Sequence, residues 1–421
     1  MAAFNAAAAL ATEMERVTPL VEGMYESDET FYGSIQKSPV EKISDRDMRV
    51  PMKLRPGGTF GHYNPDGGDL GRGSGPGYDK AVINTVHIRT ACELTKQAEW
   101  ATDTDRKAVI NAFRDIVAGQ MPQFRSDTDK LCMQDGTGVL GTVSAVTTAS
   151  GVDTVTLGTD GFGAMLLRFG LKVNVYDSTL ATNRTAAGET EITFYDSANK
   201  IIKLTPATTG ITPTDVIVIS GLSGANPTSL YGVPYHNSNA STGAWLGLSR
   251  VTNPEVRSTG TNAAGALQLP HARLTMNKIM NRIGMAPSKK LRLKAYMNPC
   301  QAQAYEGLGQ LVSIIQKQAK EEGLNQYFSA DNMQLAGAPV KLSIHWDMTR
   351  IDFLADNFWG RAEMKAPGFF ENGGRKFFET RGPSGGVSAS QLFYLVASWN
   401  LFCKNPASAG YIYGLTKPAG Y

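Results

Sequence analysis

The first residues that could do chemistry are GPSGG at 382–386, which match G-x-S-x-G, the turn that presents a nucleophilic serine in hydrolases. That chemistry needs an acid and then a histidine downstream of Ser384, and the last histidine of the chain is His345. The pattern reads instead as a turn between strands. The glycine tract GGTFGHYNPDGGDLGRGSGPG, residues 57–77, offers backbone amides of the kind that cradle phosphates. It holds no G-x-x-x-x-G-K-[ST], and after Gly71 and Gly73 the third glycine of G-x-G-x-x-G is replaced by Pro76. A helix should open directly after such a loop, whereas a strand pattern follows here.

The five histidines, His62, His87, His236, His271 and His345, form no H-x-x-x-H or H-E-x-x-H pattern. They nominate neither a metal site nor a general base, and each reads as a hydrogen-bonded structural residue. Asp347 and Asp352 flank a turn between strand-like runs, a setting read as turn chemistry and edge solvation rather than paired acid and base. Cys92, Cys132, Cys300 and Cys403 lie far apart with no C-x-x-C among them, which argues against zinc and against a disulfide framework. They are expected to be reduced. The sequons at Asn183 and Asn239 would matter only in a secreted eukaryotic product. No catalytic residue, metal or cofactor is expected.

The composition agrees with that result. In 421 residues, 42% hydrophobic and 19% charged residues describe a globular chain long enough for two or three cores. The net charge is only +3 and no basic stripe is visible, so a tight grip on nucleic acid is not expected. The opening MAAFNAAAALATEMER lacks a basic n-region, and no apolar run reaches the ~18 residues of a membrane helix.

Several elements must carry these residues. Residues 1–45 read as an arm with a short helical start around Ala6 to Met14. Residues 46–56 and 80–97 alternate as strands; in the second, Val82, Asn84, Val86, Ile88 and Thr90 should share one face, and Ile83, Thr85, His87 and Arg89 the other. Two strands around a glycine-rich tip predict a long projecting hairpin. From Thr102 or Asp103 a helix is predicted with Val109, Ala112, Phe113, Ile116 and Val117 on its apolar face. Pro122 should kink or interrupt it before it resumes and stops at Gly136, for a span of ~45 Å over about 30 residues.

From Gly138 to about Asn237 short β-type runs predict a small antiparallel barrel or sandwich, set at roughly 150–225. Helices follow at 270–284 and after Asn298-Pro299, then two strand runs around a turn at 335–364. The apolar segment VSASQLFYLVASWNLFCKNP should be a buried strand pair. No internal repeat is present.

In this order LCMQDGTGVLGTV at 131–143, TACELTKQ at 90–97, YGVPYHN at 231–237 and LAGAPVKLSIHWDMTRIDFLADNFWGR at 335–361 resemble the major capsid proteins of tailed bacteriophages, the Hong Kong 97-type fold. The resemblance covers nearly the whole chain. It implies an α+β fold divided into an N-terminal arm at 1–45, an extended loop at 46–97, and a spine helix with the start of the peripheral domain at 98–149. A β-rich insertion at 150–225 and a linker at 226–269 follow. The mainly axial domain is set at 270–365 and the closing peripheral strands at 366–421.

The implied function is self-assembly, through hexamers and pentamers, into the icosahedral shell that encloses the double-stranded DNA of a tailed phage. The protein would be assembled in the host bacterial cytoplasm and carried in the virion, without a membrane. Implied partners are further copies, a separate scaffolding protein, a portal and a possible decoration protein, with non-specific contact to packaged DNA. In the loop tip, Phe60, Tyr63, Asn64, Asp66 and Arg72 are the expected inter-subunit contacts. Gly57, Gly58, Gly67, Gly68, Gly73, Gly75 and Pro122 are the expected points of flexibility. Some relatives join loop to neighbour by a lysine–asparagine isopeptide bond; with no lysine between Lys53 and Lys80 that chemistry is not carried over. The alternatives are an encapsulin-like bacterial compartment shell and, from another class, a β-rich tail or adhesin module, which would account for 138–237 alone.

Overall fold

The computed structural model describes residues 30–35, 47–66, 68, 71–95, 120–158, 167–185, 188–196, 199–222, 228–285, 291–317, 334–373, 375–381 and 387–418. The arm before Thr30, the upstream part of the 103–135 helix, Gly67 and the turn at 382–386 lie outside the described residues. In chain order, β1 (Asp47–Arg55) and β2 (Gly77–Asn84) form an antiparallel hairpin, with Asp47 opposite Asn84 and Lys53 opposite Tyr78. The expected hairpin is therefore present, but the second strand is not continuous. It breaks at Thr85, and β3 (Val86–Thr95) joins another sheet. The buried side switches with the break, from Ala81 and Ile83 in β2 to Cys92 in β3. The two faces expected along 82–90 are thus separate faces in separate sheets.

The described part of the long helix, 120–131, runs through Pro122 without interruption and ends five residues before Gly136. Its end is fixed by a close approach. The Val233 amide donates to the Cys132 carbonyl at 2.7 Å, and Gly232 sits so tightly that a β-carbon there would strike the Cys132 and Gln134 carbonyls.

Next come β4 (Val139–Ala149), β5 (Val152–Leu157), β6 (Lys172–Tyr176), β7 (Thr190–Asp196), β8 (Ile201–Thr205) and β9 (Val216–Ile219), closed into a barrel in the order β4-β5-β8-β7-β6-β9. Of the two open readings, the barrel is the one found, and its first strand lies before residue 150. Leu140, Val155, Val173, Val175, Ile192, Ile202, Leu204 and Ile217 fill its core. Entry and exit touch, since the Ser229 amide donates to the Gly136 carbonyl at 2.7 Å. Arg168 pairs with Asp127 of the helix at 2.6 Å.

A two-residue pair, β10 (Ala244–Trp245) with β11 (Leu248–Ser249), leads into β12 (Thr259–Gly265) and the helix Leu269–Ile283. Then follow β13 (Lys294–Met297), the helix Pro299–Lys317, β14 (Gln334–Leu335), β15 (Ala338–Leu342) and β16 (Ile351–Leu354). As expected for a cap, the Asn298 Oδ1 accepts the Cys300 amide at 3.0 Å. With β20 (Gly410–Leu415), these strands make a six-stranded sheet ordered β12-β20-β16-β13-β15-β14. β15 and β16 are the two strand runs expected around a turn; they do not pair with each other but lie on opposite sides of β13, one parallel and one antiparallel.

The remaining sheet is built on β19 (Val387–Cys403), flanked by β17 (Trp359–Phe369) and β18 (Phe378–Arg381) on one side and β3 on the other. The closing apolar run is thus one strand rather than a pair. It stays extended because both edges find partners, and Phe393, Leu395, Ala397, Trp399 and Leu401 bury one face. Because the pinch at Gly232 leaves no volume for a methyl group, Gly232→Ala is expected to lower stability by about 3 kcal/mol in chemical denaturation. An unchanged midpoint would contradict this packing.

Candidate assembly surface

The hairpin tip has the composition of a surface that is not packed on its own chain. Phe60 is fully exposed and Tyr63 is 63% exposed, large apolar groups that ordinarily seek cover. Asn64, Asp66 and Arg72 are exposed beside them. The tip is shaped by a sparse set of local bonds. The Gly58 amide donates to Ser74 O at 2.7 Å, the Asp66 amide to Asn64 Oδ1 at 3.0 Å, and the Gly68 amide to Asn64 O at 3.1 Å. Gly57 and Gly58 adopt φ of 78° and 91°, and at Gly57 a side chain would meet Gly75 and Pro76, so glycine is required there. Gly73 and Gly75 lie in open space and neither is held at positive φ.

The foot of the hairpin is fixed firmly by a feature the sequence reading missed. Trp245, wholly buried, packs with Leu246 and Leu248 against Met48, Ala81 and Ile83, and the Val82 amide donates to Leu246 O at 2.9 Å. Burial of the indole alone stabilises the joint by about 3 kcal/mol. The signal was present as GAWLG, a tryptophan between glycines; Gly243 and Gly247 take φ of 85° and 86° to make the turn. Asn400 of β19 completes the fastening, accepting the Tyr231 amide at 3.0 Å and donating to Asn84 O at 2.7 Å. A free tip thus projects from a rigid foot.

The dispersed titratable residues resolve into two buried tethers. Asp129, on the helix 120–131, accepts the Phe31 and Tyr32 amides at 3.0 and 2.6 Å through Oδ1 and His345 Nδ1 at 2.6 Å through Oδ2. Asp352 is buried rather than solvating an edge. It accepts Trp346 Nε1 at 2.9 Å, Asn237 Nδ2 at 2.6 Å and a forked pair from Arg350. Burial, the largest single influence, works against the Arg350 charge, but Asp352 together with Tyr411 and Asp347 outweighs it and raises the Arg350 pKa. Asp347 is separate, capping its turn through the Thr349 amide at 2.8 Å. These carboxylates are satisfied by fixed donors, an arrangement suited to holding segments together rather than to proton transfer.

His236 is wholly buried, accepting Trp245 Nε1 at Nδ1 and donating from Nε2 to Leu401 O, both at 3.0 Å. Burial lowers its pKa to about 3. The thiols are free and buried; burial raises Cys92 to about 11 and Cys403 to about 12, so neither is a ready nucleophile. Among the described residues no group of His, Cys, Asp or Glu could hold a metal ion, and no helix is long and apolar enough to cross a membrane.

The unfolded His236 imidazole takes up a proton below about pH 6.5, whereas the folded one does so only near pH 3. Its contribution is therefore complete above 6.5 and is lost as the pH falls. Acidification to about pH 5 should cost roughly 2 kcal/mol through this group. His236→Gln, which keeps one acceptor and one donor, should show a shallower loss of stability over that interval. Parallel curves would contradict the assignment.

No protein-family model matches the chain, and no curated protein matches it in sequence. In structure it matches the capsid asymmetric unit of cyanophage A-1(L) with a TM-score of 0.56 at 12% identity, over 96% of this chain and 97% of that one. Looser matches are the mature capsid of bacteriophage PhiM1, at TM-score 0.45 and 11% identity over 96% and 92% of the two chains, and the capsid of a native GTA particle, at 0.43 and 12% over 98% and 99%. The projecting hairpin, the helix 120–131, and the two sheets that β19 and β20 complete thus form the Hong Kong 97-type α+β capsid fold, carrying a six-stranded barrel between residues 139 and 219.

Proposed function

We propose that the chain is the major capsid protein of a tailed bacteriophage, assembling into a closed icosahedral shell around double-stranded DNA. The observation that carries the reading is the fold shared with a cyanophage capsid subunit over nearly the full length of both chains. A second observation accords with it: the hairpin exposes Phe60 and Tyr63 at a tip with no core beneath them, while its foot is locked by Trp245. Shells need large repeated contacts rather than a pocket, and a projecting hairpin adds contact area to a neighbour without enlarging its own core.

In this reading Phe60, Tyr63, Asn64, Asp66 and Arg72 meet an adjacent copy around hexamers and pentamers. The φ-positive glycines at the tip let identical subunits settle into slightly different surroundings. A scaffolding protein, a portal and a decoration protein belong to the same reading, as does assembly in the host cytoplasm. A tail or adhesin module accounts only for the barrel, and leaves the two sheets that share the cyanophage fold without a role.

Electron microscopy of the purified protein should show closed particles of uniform size, and their loss in Phe60→Asp with an unchanged circular dichroism spectrum would place the contact at the tip. Particles that lack DNA and enclose protein cargo would favour a bacterial compartment shell. Hydrogen exchange at 57–66 should slow on assembly; equal exchange in free subunits and particles would rule out a tip ordered by neighbours.

A further inference from the structure

The segment between Trp245 and the end of the helix Leu269–Ile283 gathers more positive charge than it neutralises. Arg250, only 7% exposed, donates to Tyr235 O at 2.7 Å and lies over the Tyr235 ring at 5.6 Å. Arg257 donates from Nε to Arg250 O at 2.7 Å and from Nη2 to Ser241 O at 3.2 Å. Arg282 reaches from the helix end to Ser258 O at 3.2 Å and to Pro254 O. Arg55 enters from β1, donating to Thr252 O at 3.0 Å and pairing with Glu255 at 3.3 Å.

Nearly every acceptor in this cluster is a backbone carbonyl. Carbonyls hold a guanidinium in position but cancel none of its charge. Four arginines face one carboxylate, Glu255, a local surplus as large as the +3 of the entire chain. The arginines feel one another: burial lowers the pKa of Arg250 and Arg282, and Arg257 adds to both reductions. Three buried polar atoms of the same cluster, the donors Arg250 Nε and Ser258 Oγ and the acceptor Glu255 Oε2, have no hydrogen-bond partner. A charge surplus, donors fixed in advance and unused buried donors together describe a site for an oxyanion.

We propose that Arg250, Arg257 and Arg282, with Ser258 Oγ, form a phosphate-binding site at the foot of the hairpin. A phosphate suits the cluster better than a carboxylate. It brings more negative charge to a surplus of three, and its tetrahedral oxygens can meet donors that arrive from a loop, a strand edge and a helix end. Glu255 occupies part of the same field and competes with the ligand. The site stands independently of the shell reading, because it requires only the folded subunit.

The test is calorimetric titration and thermal unfolding of the full-length protein with inorganic phosphate, against chloride at matched ionic strength. Phosphate should bind measurably and raise the melting temperature above that in chloride. Arg282→Gln should weaken phosphate about tenfold, and Glu255→Gln should strengthen it several-fold, opposite signs that loss of packing would not produce. If Arg282→Gln fails to fold, Arg55→Gln, on an exposed side chain, should still weaken binding. A short DNA duplex identifies the source. Displacement of phosphate by DNA assigns the site to backbone phosphodiesters, and phosphate binding undisturbed by DNA assigns it to the free ion. Equal melting temperatures in phosphate and chloride, or a Glu255→Gln variant that weakens phosphate, would overturn the proposal.

Discussion

The carboxylate of Asp129 is the constraint on which the rest of the subunit turns. It joins three stretches far apart in sequence: the short helix Thr30–Ser34, whose first amides it accepts, the helix 120–131 on which it sits, and the loop that carries His345. A buried carboxylate is costly unless its oxygens are hydrogen-bonded, and here three donors meet both of them. Around that point Phe31 packs edge-on against Tyr296, Trp346 and Trp359. Trp346 in turn donates to Asp352, whose other partners reach Asn237 and Arg350. The short helix Thr30–Ser34, the helix 120–131 and both sheets are thereby referred to one origin, and the hairpin foot inherits its position through Asn400 and Trp245.

This rigidity makes the hairpin tip intelligible. From the buried foot outward, packing thins along the two strands until the described tip is shaped by local bonds such as those at Gly58, Asn64 and Gly68. Such a gradient fixes the direction in which the tip is offered while leaving its last residues adaptable. A tip of the same composition on a loose foot would lose more entropy on docking.

Patterns with a local physical cause were legible in the sequence: the hairpin around residues 57–77, the β-rich block and the Asn298 cap. What escaped depended on partners distant in the chain. The alternation of 80–97 looks like one strand, because period-2 patterning does not report that Thr85 is where the backbone leaves one sheet for another. β19 reads as two strands because seventeen residues exceed the usual length, and only pairing on both edges keeps it extended. Asp352 reads as a turn residue beside Asp347, since the donors that bury it, Asn237 and Trp346, reveal themselves only when the chain is folded. His345 and Asp129 lie 216 positions apart and carried no joint signal.

The strand order has a consequence for timing. β20, made after every other described strand, lies between β12 and β16 in one sheet, and β19, made just before it, is the spine of the other. Neither sheet is joined up until these two strands are made, because β12 meets the rest of its sheet only through β20, and β3, β17 and β18 meet only through β19. A nascent chain that has not yet reached residue 387 therefore holds the strands of both sheets without the partners that join them.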